Sequence, residues 1–340
     1  MKEKILFIQT AFIGDAILTL PALQKLKEIF PSANIDVLCI PDSKEIFESS
    51  PVVSDVKVLD KKGAHKSLLK TFKYCKELRK NNYSRIYSSH RSFRTALIIL
   101  LLEVRESFGF DNSSLMHVYK KLVSYNVKKH EVQRNLDLIG YKYDEKSWKI
   151  LPEISSNKQS VEKIKSFLDY NNLTERFIAI APGSIWNTKK YPLEYSKIVV
   201  DYFINQNNKV VFIGGKNDVE ICSSLISSFK DKVVDASGKF SIVESIELLR
   251  NAKLLISNDS APTHMGMCAD IRVLTIYCST VPGFGFYPYN EKSLSVSYDD
   301  LKCKPCGIHG HQDCPIRTYE CGLKLLPEVI IKKAEEMLGD

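Results

Sequence analysis

Apolar residues along this chain fall in short β-branched runs, and between the runs they recur at helical spacing. In the first half, runs near 4–9, 34–40, 55–59 and 84–88 read as strands, and segments near 16–30, 42–48 and 65–81 read as helices. Such alternation predicts parallel βαβ units. Pro21 is an awkward guest in the first helix and predicts a kink or a delayed start. Residues 93–140 read as mostly helical and basic, interrupted by turn signals at Gly109 and Asp111-Asn112. The polar stretch PEISSNKQS (152–160) then precedes a second series, with strands expected near 176–181, 209–213, 232–235, 253–257 and 272–276. The closing PEVIIKKAEEML has a helical pattern and is expected to cross back onto the first half. The pattern thus predicts an α/β chain of two Rossmann-like domains facing across a cleft: residues 1–157, residues 158–326, and a final helix over 327–340.

Composition narrows the setting. The chain has 340 residues, longer than one typical domain, and 44% of them are hydrophobic, enough for sizeable cores. The longest apolar run, ALIILLLEV (96–104), is too short for a membrane span and reads as a buried helix segment. MKEKILFIQT enters a strand without a charged-then-apolar leader, and nine cysteines, an odd number, suit a reducing compartment. A cytoplasmic location is expected. The net charge of +8 is moderate, with clusters at Lys61-Lys62, Lys120-Lys121 and Lys128-Lys129. Scattered lysines usually form solvated surface, although a basic face can attract anionic lipid or a phosphorylated acceptor. No nucleic-acid motif accompanies the charge, so nucleic acid is not an expected partner.

Candidate chemistry sits where predicted strands end. IGDAILTLPALQKL places Asp15 in a glycine-opened turn between a strand and a helix, outside the carboxyl end of the strand. A carboxylate there can act as a general base, or it can simply cap the helix. In GSIWNTKKYP, Gly183 and Ser184 give a small-residue turn, and Lys189 and Lys190 add charge suited to a phosphate. GGKNDVE offers Asp218 or Glu220 to a ribose hydroxyl but lacks a full glycine fingerprint. In LLISNDSAPTHMGMCA, Asp259 and Ser260 precede a helix opened by Ala261 and Pro262 and carrying His264. Free amides at that helix start can receive a diphosphate.

These four segments, in this order over nearly the whole chain, resemble the bacterial lipopolysaccharide heptosyltransferases, glycosyltransferases of the two-domain GT-B fold. The resemblance implies an enzyme that moves a sugar from a nucleotide diphosphate donor, usually ADP-heptose, to the lipid A–core region at the cytoplasmic membrane. It further implies inversion at the anomeric carbon and no metal cofactor for catalysis. The first domain would bind the acceptor and the second the donor. Carried over by position, Asp15 is the general base. Ser184, Lys189, Lys190, Glu220, Asp259, Ser260, Ala261 and His264 form the donor site, with Asp218 competing for the role of Glu220. Ala261 departs from a position that is often glycine in the family. SSHRSFRTALI matches a basic stretch, so Arg91 and Arg94 are the candidates for acceptor anions. Two other readings stand beside this one: transfer of a different nucleotide-diphosphate sugar to a surface polysaccharide, and a nucleotide-sugar-binding protein without turnover.

A further cluster lies beyond the last expected strand. Cys303 and Cys306 form a CxxC pair, followed by Cys314 and Cys321, with His309 and His311 inside the loop. Such a set can hold a structural zinc ion, pair, or stay free, and its spacing departs from a regular zinc ribbon.

Overall fold

Strand β1 (Lys4–Ile8) is fully buried from Ile5 onward, because it is covered on both faces at the centre of a parallel sheet. The structure is a computed structural model that describes residues 3–173, 175–229 and 232–339. β2 (Asn34–Cys39), β3 (Asp55–Val58), β4 (Arg85–Ser88), β5 (Glu106–Phe110) and β6 (Lys121–Val123) complete the first sheet in the order β3-β2-β1-β4-β5-β6. The crossovers carry α1 (Ile13–Ile29), α2 (Lys44–Glu48), α3 (Leu68–Arg79) and α4 (Phe93–Leu102), while α5 (Glu131–Leu138) packs on α1. Ser67 and Ser92 fix where α3 and α4 start, each accepting a backbone N–H of the first turn. Strand order reverses between β1 and β4, so a ligand crevice is expected outside the carboxyl ends of those two strands.

The chain divides between Ser155 and Ser156, within the polar stretch. The second unit runs α6 (Lys158–Tyr170), β7 (Phe177–Ala181), α7 (Leu193–Asn205), β8 (Val210–Phe212), α8 (Val219–Ile226), β9 (Val233–Asp235), α9 (Ile242–Leu249) and β10 (Ala252–Asn258). It ends with α10 (Ala261–Cys268), β11 (Arg272–Tyr277), β12 (Leu294–Ser297), α11 (Glu320–Leu323) and α12 (Pro327–Gly339). Its sheet order, β12-β11-β10-β7-β8-β9, has the same topology as the first, with the reversal between β7 and β10. Every strand pair in both sheets is parallel.

Four expectations are corrected. The region 93–140 contains two strands, β5 and β6, besides its helices. Gly109 lies inside β5, not at a turn, where a Cβ would come within 2.3 Å of the Tyr119 ring. α1 begins at Ile13, ahead of the expected start, and continues through Pro21. The closing helix α12, expected to return to the first half, packs on α7. Its Ile330, Ala334 and Met337, spaced as one helical stripe, join Val199, Val200 and Phe203 in the second unit's core.

Candidate functional site

At the mouth of β1, the early start of α1 changes the setting of Asp15. Phe12, extended, is the N-cap residue, so Asp15 is the third residue of the helix. Its carboxylate accepts the backbone N–H groups of Phe12 and of Asp15 itself while keeping part of its surface open. Capping and chemistry are therefore compatible roles for one side chain. Burial lifts the Asp15 pKa to about 7, and the Glu131 charge adds to the rise. The two backbone donors and Arg91 act in the opposite direction.

Glu131, the first residue of α5, is buried and pairs with buried Arg134 at 2.7 Å. Arg134 also donates to Tyr125 Oη (3.1 Å), the Asn126 carbonyl (3.1 Å) and the Val127 carbonyl (3.0 Å). The Arg91 guanidinium lies 4.0 Å from the centre of the Tyr125 ring. Arg91 thus stands near Asp15, on a platform that α5 holds in place.

Arg94 belongs elsewhere. It donates to the backbone carbonyls of His65 (3.2 Å) and Lys66 (3.0 Å) and braces the turn before α3. Near these arginines lies a group whose lysine the sequence marks only as half of a basic pair. Lys61 Nζ donates to the carbonyl (2.9 Å) and hydroxyl (2.8 Å) of Thr10, and His90 Nδ1 is 2.9 Å from the same hydroxyl. Burial, aided by Arg94, brings the Lys61 pKa down to about 8; burial, aided by Lys61 and Arg91, holds His90 at about 4. An ammonium so disfavoured, with cations beside it, is suited to an anion.

In the second unit, Asn258 joins the ends of β7 and β10. Its Nδ2 donates to the Pro182 carbonyl (2.7 Å), and its Oδ1 accepts from Tyr191 N (3.1 Å). That clamp brings Lys189 against Asp259, with Nζ 2.7 Å from Oδ2 and both side chains mostly buried. Thr280, after β11, donates to the same oxygen at 2.6 Å. Ser260 is the extended N-cap residue of α10, and its hydroxyl makes no cap bond; Pro262 has no N–H and Thr263 N donates to the Ser260 carbonyl (3.1 Å), so the Ala261 N–H is the donor that opens the helix. Ala261 opens the helix without a positive φ, which explains why alanine is tolerated where glycine is often found. His264 is buried one turn in with Nδ1 unpartnered. Burial brings its imidazole down to about 4, opposed by Asp259 and reinforced by Lys189.

The remaining donor candidates differ in their availability. A Cβ at Gly183 would lie 2.0 Å from Asp218 Oδ1, so glycine there makes room for a carboxylate of the neighbouring loop. Asp218 Oδ2 accepts from Gly215 N (2.9 Å), which commits Asp218 to joining loops. Glu220 is exposed in the first turn of α8. Ser184 Oγ accepts from Trp186 N at 3.4 Å, and Lys190 Nζ turns to Asn187 Oδ1 at 2.9 Å.

Of the three readings of the cysteine loop, the structure shows the free thiols. Cys303, Cys306, Cys314 and Cys321 are free thiols, and among the described residues no three His, Cys, Asp or Glu side chains are disposed to hold a metal ion. The loop is organised by an ammonium instead. Lys304, buried, donates to the Tyr277 carbonyl (2.9 Å), Ser297 Oγ (2.6 Å) and the Tyr298 carbonyl (3.0 Å). Further along, His311 N donates to Thr188 Oγ1 (2.8 Å), and Thr188 N donates to the His311 carbonyl (3.0 Å). The cysteine loop therefore braces the turn that carries Lys189. His90, Thr280 and Lys304 were missed because ordinary residues became significant only through partners elsewhere in the chain, and Glu131 and Arg134 because an i,i+3 pair reads as a surface ion pair until the fold buries it.

Known proteins match this chain along its length. The family model "Glycosyltransferase family 9 (heptosyltransferase)" matches residues 71–314. Lipooligosaccharide heptosyltransferase 2 of Campylobacter jejuni is 24% identical over 340 residues, covering 98% of both chains. The crystal structure of a glycosyl transferase family 9 protein from Veillonella parvula superposes with a TM-score of 0.86 at 23% identity, covering 99% of this chain and 98% of that one. The structure of E. coli ADP-heptose lps heptosyltransferase II superposes with a TM-score of 0.79 at 16% identity, covering 99% of this chain and 98% of that one. Two six-stranded parallel units of this kind make a GT-B-like fold. Among the described residues no helix is long and apolar enough to cross a membrane.

Proposed function

The chain belongs to glycosyltransferase family 9, the heptosyltransferases, and from that premise we propose that it transfers a heptose from ADP-heptose to the lipid A–core region of lipopolysaccharide, with Asp15 as general base and inversion at the anomeric carbon. The observation that carries this reading is Asp15 itself, partly open at the mouth of a central strand with its pKa raised to about 7. A base of that strength near neutral pH is well matched to taking a proton from a hydroxyl.

In the proposed reaction, an acceptor hydroxyl attacks the anomeric carbon while Asp15 takes its proton. The new C–O bond forms as the bond to the ADP β-phosphate oxygen breaks, and the electron pair leaves with ADP. Lys189 and the backbone N–H groups of Ser260 and Ala261 at the start of α10 are assigned to the departing diphosphate, where fixed donors stabilise developing charge most effectively. Asp259 and Thr280 hold the Lys189 ammonium in place. Glu220, exposed in the first turn of α8, is assigned to the nucleoside. Arg91 is assigned to an acceptor anion, and the reaction is placed at the cytoplasmic face of the membrane. The name of the E. coli relative, an ADP-heptose lps heptosyltransferase, supports the choice of donor.

The test is mass-spectrometric detection of product from ADP-heptose and a lipid A–core acceptor, with UDP- and GDP-sugars in parallel. Product with ADP-heptose alone supports the proposal. Faster transfer from another nucleotide sugar overturns the donor assignment, and binding of every donor without turnover overturns the catalytic one.

A further inference from the structure

From residue 61 to residue 80 the chain carries eight Lys or Arg and a single acid, Glu77. The segment folds as the turn before α3 and then α3 itself. Its inner stripe is Thr71, Cys75 and Leu78, which are buried. On the outside, where charge alone would be ordinary, stand Leu68 (56% exposed), Leu69 (67%) and Phe72 (39%). Lys70, Lys73 and Lys76 stand on the same exposed side, and Lys76 Nζ lies 4.9 Å from the centre of the Phe72 ring. Glu77 is already paired with Lys80 and Glu103 with Arg79, so these three lysines have no acidic partner among the described residues.

We propose that the outer face of α3, with Leu68, Leu69 and Phe72 framed by Lys70, Lys73 and Lys76, docks the protein on the surface of an anionic phospholipid bilayer. Apolar side chains that project from a strongly basic helix face enter the acyl boundary while the ammonium groups meet lipid phosphates. Charge decides the occupant. A second copy placed two-fold on this face would set lysines against lysines, which disfavours self-association. The location also suits the chemistry. Arg94 ties the turn before α3 to the first turn of α4, and Lys61 at the start of the segment bonds Thr10 in the loop leading to Asp15. The docking face is therefore continuous with the loop that leads to the proposed base. The inference rests on the proposed function for its lipid-borne acceptor, and its test reads membrane binding without sugar transfer.

The experiment is co-sedimentation of the full chain with phosphatidylcholine vesicles and with vesicles containing phosphatidylglycerol, at low and high salt. ADP affinity is measured in parallel by calorimetry. Wild type is expected to bind the anionic vesicles and to be released by salt. Lys70→Gln/Lys73→Gln/Lys76→Gln should weaken partitioning on the order of 100-fold, since each basic residue near the surface contributes about fivefold. Leu69→Ser/Phe72→Ser should remove the binding that survives high salt, and both variants should keep ADP affinity. Equal vesicle binding by wild type and both variants overturns the proposal, as does wild type that ignores anionic vesicles. A dimer in solution that Leu69→Ser/Phe72→Ser abolishes, without vesicle binding, assigns the face to a second copy.

Discussion

Lys189 and Asp259 meet at 2.7 Å, and Thr280 donates to the carboxylate oxygen that faces the ammonium. The lysine assigned to the donor phosphates is thus already neutralised and aimed. Lys189→Ala should weaken ADP binding about 10- to 150-fold, the range of a charged hydrogen bond worth about 1.5–3 kcal/mol, and weaken adenosine binding far less. It also strands a carboxylate beside the diphosphate. Lys189→Ala/Asp259→Ala should therefore bind ADP better than Lys189→Ala alone. Calorimetry on the four proteins of that cycle checks this, and additive losses would refute it.

Asp15→Asn should lower turnover by about two to four orders of magnitude, the usual share of general-base catalysis. The same change should stabilise the fold in a defined pH window. Below pH 4 the carboxyl is protonated in folded and unfolded chains alike and favours neither. From there to its folded pKa of about 7 only the unfolded chain releases the proton, so stability falls as pH rises. Above that the deficit is constant. Thermal unfolding should give a higher Tm for Asp15→Asn above pH 7 and equal values below pH 4.

The rate profile should move with Arg91. A base that titrates near pH 7 gives an acid limb in kcat/KM centred there. Arg91 lowers the Asp15 pKa, so Arg91→Gln should shift the limb to higher pH. A limb that stays in place while KM for the acceptor rises would confine Arg91 to binding.

The cysteine loop should depend on Lys304 and not on a metal. Lys304→Met strands two carbonyls and a hydroxyl, at a cost on the order of 3 kcal/mol. The urea midpoint should fall accordingly, and ADP affinity with it, because the loop braces the turn of Lys189 through Thr188. Dialysis of the wild type against a chelator should leave its midpoint unchanged. A midpoint that falls on chelation would restore the zinc reading.

Much of this architecture is legible in the sequence, for a physical reason. Strands such as β1 and β7 lie deep in parallel sheets and read as nearly unbroken apolar runs. β5, β6 and β12 escape notice because they lie at or next to a sheet edge and carry Glu106, Lys121 or Leu294 partly or fully exposed; the two charged residues break the apolar run. The site divides in the same way. Asp15, Asp259 and His264 lie at or just beyond strand-to-helix junctions, whose position after a strand marks them. Thr280 and Lys304 are recognisable only once the fold brings an acid or a row of carbonyls to them.

The strand order shared by both sheets also governs how the chain is made. In each unit the first strand synthesised, β1 or β7, becomes an inner strand, and one of its two neighbours, β4 or β10, is made much later. At roughly 5–20 residues per second, about 80 residues separate β1 from β4, so KILFI waits on the order of 4–16 seconds beside the ribosome for its second neighbour. FIAIA waits almost as long for β10. These two apolar segments are where a nascent chain would be most prone to aggregate and where a chaperone would find it.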